Sequence, residues 1–319
     1  MIKLLYSKAE QFNGISAYTN NIYNDLIKSG FDVKISYLPK VEVKIMGKRL
    51  GGWRSMNVLS FVTGRSEIVH SMTYWLMSPY TNVVTIHDLF HLTQQKQRNI
   101  NNVNKTHYLT SLKKIERKGI KVIVQTPIVA DDVRKFIPEA DISIIPSKIF
   151  VQDPIVNPYP DDKKLHLITV GAIMKGFNRK HIYELYEWIK NEPDIDLYHI
   201  GKIEDIRYLN YANNIHQIGS VDQQTKFNYL AHADKYVFSS IAEGQGYPTM
   251  EAMKLNTQVV INDLPEHKFL LGDKPYYFHN KDEFLEMIWK NKKGGLVEQI
   301  SQYDNWIKKY KTVYEKVLQ

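Results

Sequence analysis

Between Ser239 and Met253 the chain reads SSIAEGQGYPTMEAM, with Glu243 and Glu251 eight residues apart and Gly244 and Gly246 between them. Carboxylates accept hydrogen bonds from paired hydroxyls, which a sugar or a ribose offers. The glycines let backbone approach a ligand closely and leave amides free for hydroxyls or phosphates. The run KYVFSSI before them predicts a buried strand, and Pro248 suits the first residue of a helix, where its missing N–H costs nothing. Asn256 marks the expected end of that helix. Glu251 then falls in the first helical turn, where free N–H groups favour a carboxylate. A plainer reading fits the same residues: a strand-to-helix turn with a capping carboxylate.

Other expected strand ends carry glycine or polar groups. Gly14 follows the first apolar run, His87 and Asp88 follow NVVTI, and Gly171 follows LHLITV. An imidazole at such a place can hydrogen-bond a sugar hydroxyl, though His87 also reads as a satisfied histidine with Asp88 capping the next turn. Arg179 and Lys180 open a helical stretch, with Lys175 nearby. In PDIDLYHIG, Asp194 and Asp196 have the spacing of a metal-binding pair, but we read them as a loop feature ahead of a strand.

Positioning these groups requires alternating strands and helices. IKLLY, DVKISYL, EIVHS, NVVTIHD, KVIVQT and DISIIP are separated by amphipathic stretches, and LHLITVG, IDLYHIG, IHQIG, KYVFSS and TQVVIND repeat the pattern. Such runs predict parallel sheets covered on both faces. Phe150–Lys164, with three prolines, reads as a linker between two similar α/β units. Two Rossmann-like halves facing a cleft follow, and ligands in such sheets bind at the carboxyl ends of strands.

Composition bounds the class. The 319 residues suit two domains, and 43% hydrophobic with 24% charged residues is a globular balance. The lack of cysteine excludes a disulfide scaffold and thiolate metal sites. The N-terminus reads as a strand rather than a signal peptide, and no run is long enough for a membrane span, so a cytoplasmic location is expected. The net charge of +8 is uneven: residues 1–158 hold 21 Lys and Arg against 12 Asp and Glu, and the remainder 21 against 22. The excess gathers at Lys40–Arg54 and Lys96–Lys121, which could face an anionic membrane surface, a phosphate-bearing acceptor or nucleic acid, or be a solvated helix face and a loop. Without a recognition motif or a stacking platform of aromatics, nucleic acid is not expected as a partner.

AEGQGYPTMEAMKLNTQVVINDLPEH resembles the E-x7-E signature of family 4 retaining glycosyltransferases, enzymes of GT-B fold. QIGSVDQQTKFNYLAHADKYVFSS resembles the segment that precedes it, GISAYTNNIYNDLIKSG the family's N-terminal loop and helix, NVVTIHDLFHL its histidine strand, and YDNWIKKYKTVYEKVL its last helix. The resemblance implies a first, acceptor-side domain over 1–155, a nucleotide-sugar domain over 156–304, and a helix over 305–319 that crosses back to the first.

It also implies roles. Glu243 would contact the donor sugar, with Gly244, Gln245, Gly246, Tyr247, Pro248 and Thr249 around it, and Glu251 would accept from the ribose. Gly14 would sit against the pyrophosphate and His87 beside the sugar; Gly171, Gly219 and Val221 complete the donor-binding set. The family carries an arginine directly after the glycine of VG, where this chain has Ala172; Arg179 and Lys180 are therefore assigned to the pyrophosphate. With two cations on the leaving diphosphate, no metal or other cofactor is required.

The expected activity is retaining transfer of a hexose from a UDP- or GDP-linked sugar to a glycan, a lipid-linked or another acceptor, with the enzyme peripheral on the inner membrane face. The rivals are a nucleic-acid-binding protein, a DNA-modifying glycosyltransferase, a nucleotide-sugar epimerase or sugar phosphorylase, and a transferase-like protein with a degenerate donor site.

Overall fold

A computed structural model describes residues 1–7, 14–38, 42–45, 48–51, 66–93, 102–175, 179–291 and 296–319. The chain divides into two compact units, Met1–Ser147 together with Asn305–Gln319, and Lys148–Asp304. Each is built on a six-stranded sheet with all strands parallel.

The first unit contains β1 (Ile2–Ser7), β2 (Val33–Leu38), β3 (Glu42–Ile45), β4 (Lys48–Gly51), β5 (Ile68–Ser71), β6 (Val83–Thr85), β7 (Lys121–Val124) and β8 (Ile142–Ile144). Its sheet runs β2-β1-β5-β6-β7-β8, and β3 with β4 forms a separate antiparallel ribbon. Leu4, Leu5, Val69, Val83, Val84 and Val122 are fully buried, as strands covered on both faces require. Helices include Gly14–Lys28, Asn102–Lys118 and Pro127–Arg134; Thr126 caps the last, its hydroxyl accepting from Val129 N, with Pro127 in the first turn.

The final helix, Trp306–Leu318, completes this unit. Trp306 Nε1 donates to Asp25 Oδ2 at 2.8 Å, and the Tyr310 hydroxyl meets that of Tyr18. The Tyr314 hydroxyl lies 2.9 Å from His70 Nδ1, while His70 Nε2 reaches Thr85 Oγ1 at 2.8 Å. Burial pushes the His70 imidazole down to about 3, so a neutral ring sits within this web of hydroxyls.

The second unit contains β9 (Leu165–Val170), β10 (Ile195–Ile200), β11 (Ile215–Gly219), β12 (Lys235–Phe238), β13 (Gln258–Asn262) and β14 (Tyr276–Phe278), in the order β11-β10-β9-β12-β13-β14. The chain thus winds outward from β9 to one side and then, from β12, to the other. The crevice outside the carboxyl ends of β9 and β12 is the switch point where doubly wound sheets take ligands.

Three expectations are corrected in detail. Helix Tyr247–Lys254 begins one residue before Pro248, so Glu251 is its fifth residue and lies outside the first turn. Asn256 follows the helix in a left-handed conformation, φ 64°, rather than ending it. Asp196 does not precede its strand: it is the second residue of β10 and buried. Phe150–Lys164 has no helix or strand, but it packs on the second unit, with the Tyr159 hydroxyl donating to Tyr229 O at 2.8 Å. Among the described residues no helix is long and apolar enough to cross a membrane.

Candidate active site

The loops after β9 and β12 meet at the switch point of the second unit. Arg179 and Lys180 lie just before helix Ile182–Ile189, and Ser239 and Ser240 follow β12. Ile241 N donates to Arg179 O at 2.9 Å and Ser239 Oγ to His181 O at 2.9 Å, so the second loop grips the first.

Arg179 Nη1 donates to Ala242 O at 2.7 Å and lies 3.1 Å from Glu243 Oε2. The other Glu243 oxygen accepts from Ser240 Oγ at 2.9 Å. Burial opposes ionisation of Glu243, but Arg179, Lys180, His267 and the Ser240 hydroxyl outweigh it and hold the carboxyl below its ordinary range. Glu243 is therefore a carboxylate at neutral pH. Burial pushes the Lys180 ammonium below its ordinary value, against the pull of Glu243 and Glu251. A desolvated cation of this kind gains from a phosphate that arrives with more charge.

Gly171 makes room for Lys180. A Cβ there would stand 2.5 Å from Lys180 Cδ and 2.8 Å from Nζ. His199 holds the glycine from beneath: its Nε2 donates to Gly171 O at 2.6 Å, and Nδ1 accepts from the Tyr186 hydroxyl, also at 2.6 Å. That bonding requires the neutral ring, and burial accordingly lowers His199 to about 4.

In EGQGYPTME, Gly246 takes a left-handed conformation, φ 70°, immediately before the helix. Glu243, Gln245, Thr249 and Glu251 are all buried. Lys226, on helix Gln223–His232, bonds to Glu251 Oε2 at 2.6 Å. His267 Nδ1 donates to Asn262 O at 3.1 Å, which leaves Nε2 as an acceptor; that nitrogen is buried without a hydrogen bond, as is Asn262 Oδ1. Both await a donor. Gly219 has φ 79°, and its carbonyl accepts from Gly201 N at 2.8 Å; Val221 is half-buried just before the Asp222 cap of the Lys226 helix.

Sequence reasoning gave no role to Ser240, Lys226, His199 or His267. His267 stands in the quoted DLPEH run, and that likeness was its one visible signal. Pairing of Lys226 with Glu251 depends on how two helices lie together and left no local trace.

In the first unit, Gly14 is exposed at the start of helix Gly14–Lys28, with nothing within 4 Å of where a Cβ would be. His87 lies two residues beyond β6, its Nε2 donating to Met72 O at 3.1 Å. The Tyr18 ring meets it edge-on with centroids 4.8 Å apart. Burial lowers His87 to about 4, so the ring is neutral and Nδ1 is an acceptor. Residues 40–41, 46–47 and 52–54 of the first basic cluster, and 96–101 of the second, lie outside the described residues.

Residues 164–290, which span both loops of the switch point, match the family described as glycosyl transferases group 1. The chain carries a group 1 glycosyltransferase domain. The O-antigen chain mannosyltransferase RfbU of Salmonella typhimurium is 24% identical over 277 residues, 81% of this chain and 73% of that protein. The processive diacylglycerol alpha-glucosyltransferase of Acholeplasma laidlawii is 27% identical over 134 residues, 39% of this chain and 40% of that one.

The fold is shared more widely. Sucrose-phosphate synthase from Thermosynechococcus elongatus superposes with a TM-score of 0.74 at 16% identity, over 99% of this chain and 98% of that one. WaaG, a glycosyltransferase involved in lipopolysaccharide biosynthesis, gives 0.68 at 13%, over 100% and 94%. Both units of this glycosyltransferase therefore belong to a GT-B fold.

Proposed function

We propose that this glycosyltransferase moves a hexose from a UDP- or GDP-linked sugar to a glycan or lipid-linked acceptor, with retention and without a metal. The observation that carries the reading is the convergence of Arg179, Lys180 and Glu243 at the carboxyl ends of β9 and β12. As the anomeric bond breaks, negative charge grows on the leaving diphosphate and positive charge on the sugar ring. Two cations beside the expected phosphate position stabilise the first, and a fixed carboxylate the second. In this reading Lys180 and Arg179 hold the pyrophosphate, and Gly244 to Thr249 surround the sugar. Glu251, oriented by Lys226, accepts from the ribose.

Front-face attack is the proposed route to retention. The acceptor oxygen bonds to the anomeric carbon as the sugar–phosphate bond breaks, and the departing phosphate oxygen takes the acceptor proton. Gly14 and His87 of the first unit carry proposals of their own: an open helix start for a phosphate oxygen, and a neutral imidazole acceptor for a sugar hydroxyl. The printed activities of RfbU and the Acholeplasma enzyme support hexose transfer to glycan or lipid acceptors. Lys113, Arg117 and Lys118 are exposed on helix Asn102–Lys118 and would meet an anionic membrane surface from the cytoplasmic side.

Calorimetric titration with UDP-, GDP- and ADP-sugars, followed by NMR of the product anomer, tests the reading. Saturable binding of one UDP- or GDP-sugar and a retained product are expected. An inverted product would overturn the mechanism, and absence of any binding would favour a degenerate donor site.

A further inference from the structure

At the opposite edge of the second sheet, three neighbouring strands begin with ligating side chains. His166 and Asp196 are the second residues of β9 and β10 and are direct register partners; His216 is the second residue of β11. The parallel register sets Asp196 beside His166 and His216 beside Tyr198, two residues further along on the same face of β10. Asp162, in the irregular segment leading into β9, closes the group.

Three of these donors lie around a common point, and His216 borders one of them. Ligand atoms of Asp162, His166 and Asp196 all lie within 4.8 Å of one another. His166 Nε2 is 3.1 Å from Asp162 Oδ1, and His216 Nε2 is 3.4 Å from Asp196 Oδ1. Tetrahedral zinc with nitrogen and oxygen ligands at about 2.0–2.1 Å separates its donors by about 3.3–3.4 Å. Neither imidazole nitrogen makes a hydrogen bond, although both are buried and the His166 side chain is only 9% exposed. The rings are also fixed: His166 stacks on Tyr159, centroids 5.1 Å apart, and His216 on Tyr198 at 4.5 Å.

We infer that Asp162, His166 and Asp196, with His216 beside Asp196 as a further donor, form a binding site for a divalent transition-metal ion of the zinc class. Two carboxylates balance its charge, and two imidazoles are the nitrogen donors that zinc favours over calcium or magnesium. Lys164 competes: its Nζ bonds Asp196 Oδ1 at 3.0 Å, but its side chain is 41% exposed. The ammonium end can return to water while an ion takes its place on the buried carboxylate, so it can yield to the metal. The five residues from His166 to Gly171 separate this edge from the donor loops by roughly 16 Å. The ion therefore has a structural role, clamping the Asp162 segment to three strands, and metal-free transfer at the other edge is unaffected.

The test is titration of zinc chloride into the EDTA-dialysed full chain, followed by calorimetry and thermal melting. One saturable site per chain and a higher Tm are expected, since a ligand bound only by the folded state stabilises it. Cobalt(II) should give the absorption of a tetrahedral site. His166→Asn should abolish saturable binding, and Lys164→Met should tighten it, because the competing ammonium is gone. Should His166→Asn fail to fold, Asp162→Asn, at a partly exposed position, is to weaken binding at least tenfold. Absence of saturable zinc binding, or equal binding by wild type and the ligand variants, would overturn the assignment.

Discussion

Lys180 occupies the space that a side chain on Gly171 would need, 2.5 Å from the nearest point of an added Cβ. The glycine at the end of β9 therefore provides a place for a cation as well as a turn. Gly171→Ala should displace Lys180 and lower turnover by about 10²-fold, the usual size of a lost charge-stabilising group. Lys180→Ala should do the same, and the double variant should be no worse than either single one. Circular dichroism would check that the fold persists; additive losses would refute the coupling.

Glu243 is held ionised by its neighbours, Arg179 first among the charged ones. In Arg179→Gln the carboxyl pKa rises towards its ordinary value or above it, because burial is then less opposed. The acid limb of the pH profile of kcat/KM should move to higher pH. A limb that stays in place would mean that Glu243 is not the group being titrated.

Lys226 and Glu251 form an ion pair that is largely buried. Lys226→Met should raise the KM for the nucleotide sugar about tenfold and leave kcat nearly unchanged, since it loosens a binding group and touches no reacting bond. Glu251→Ala should act in the same direction. Initial-rate kinetics over a donor series distinguish this from a fall in kcat.

Buried neutral histidines make stability depend on pH. Burial lowers His70 to about 3 and both His87 and His199 to about 4, from an ordinary 6.5. Each binds a proton more readily when unfolded, so its contribution is complete above pH 6.5 and is lost as pH falls towards 4. For His199, which is fully buried, the loss between pH 7.5 and 5 is about 2 kcal/mol. Urea midpoints at the two pH values, compared between wild type and His199→Gln, should show the variant with the shallower dependence.

The two-unit α/β architecture was legible because strands such as LITV and YVFS are buried on both faces and read as unbroken apolar runs. The glycine-rich loop was legible too, since the change from strand to helix within EGQGYPTME is local. Its helix starts one residue early because Gly246, in a left-handed conformation, already serves as the cap. What escaped depended on register. Asp196 read as a loop residue because no local signal tells that it pairs with His166 across 30 residues of chain. His199 beneath Gly171 and Lys226 beside Glu251 were hidden for the same reason.

The first unit is discontinuous in sequence: the chain leaves it after Ser147 and re-enters at Asn305. The second unit is one uninterrupted stretch of chain with its own sheet and core. The first is complete only when Trp306 and Tyr310 reach Asp25 and Tyr18. The half made first is thus the half finished last. Chains that stall or terminate shortly before residue 306 should be the species most prone to aggregation and chaperone capture.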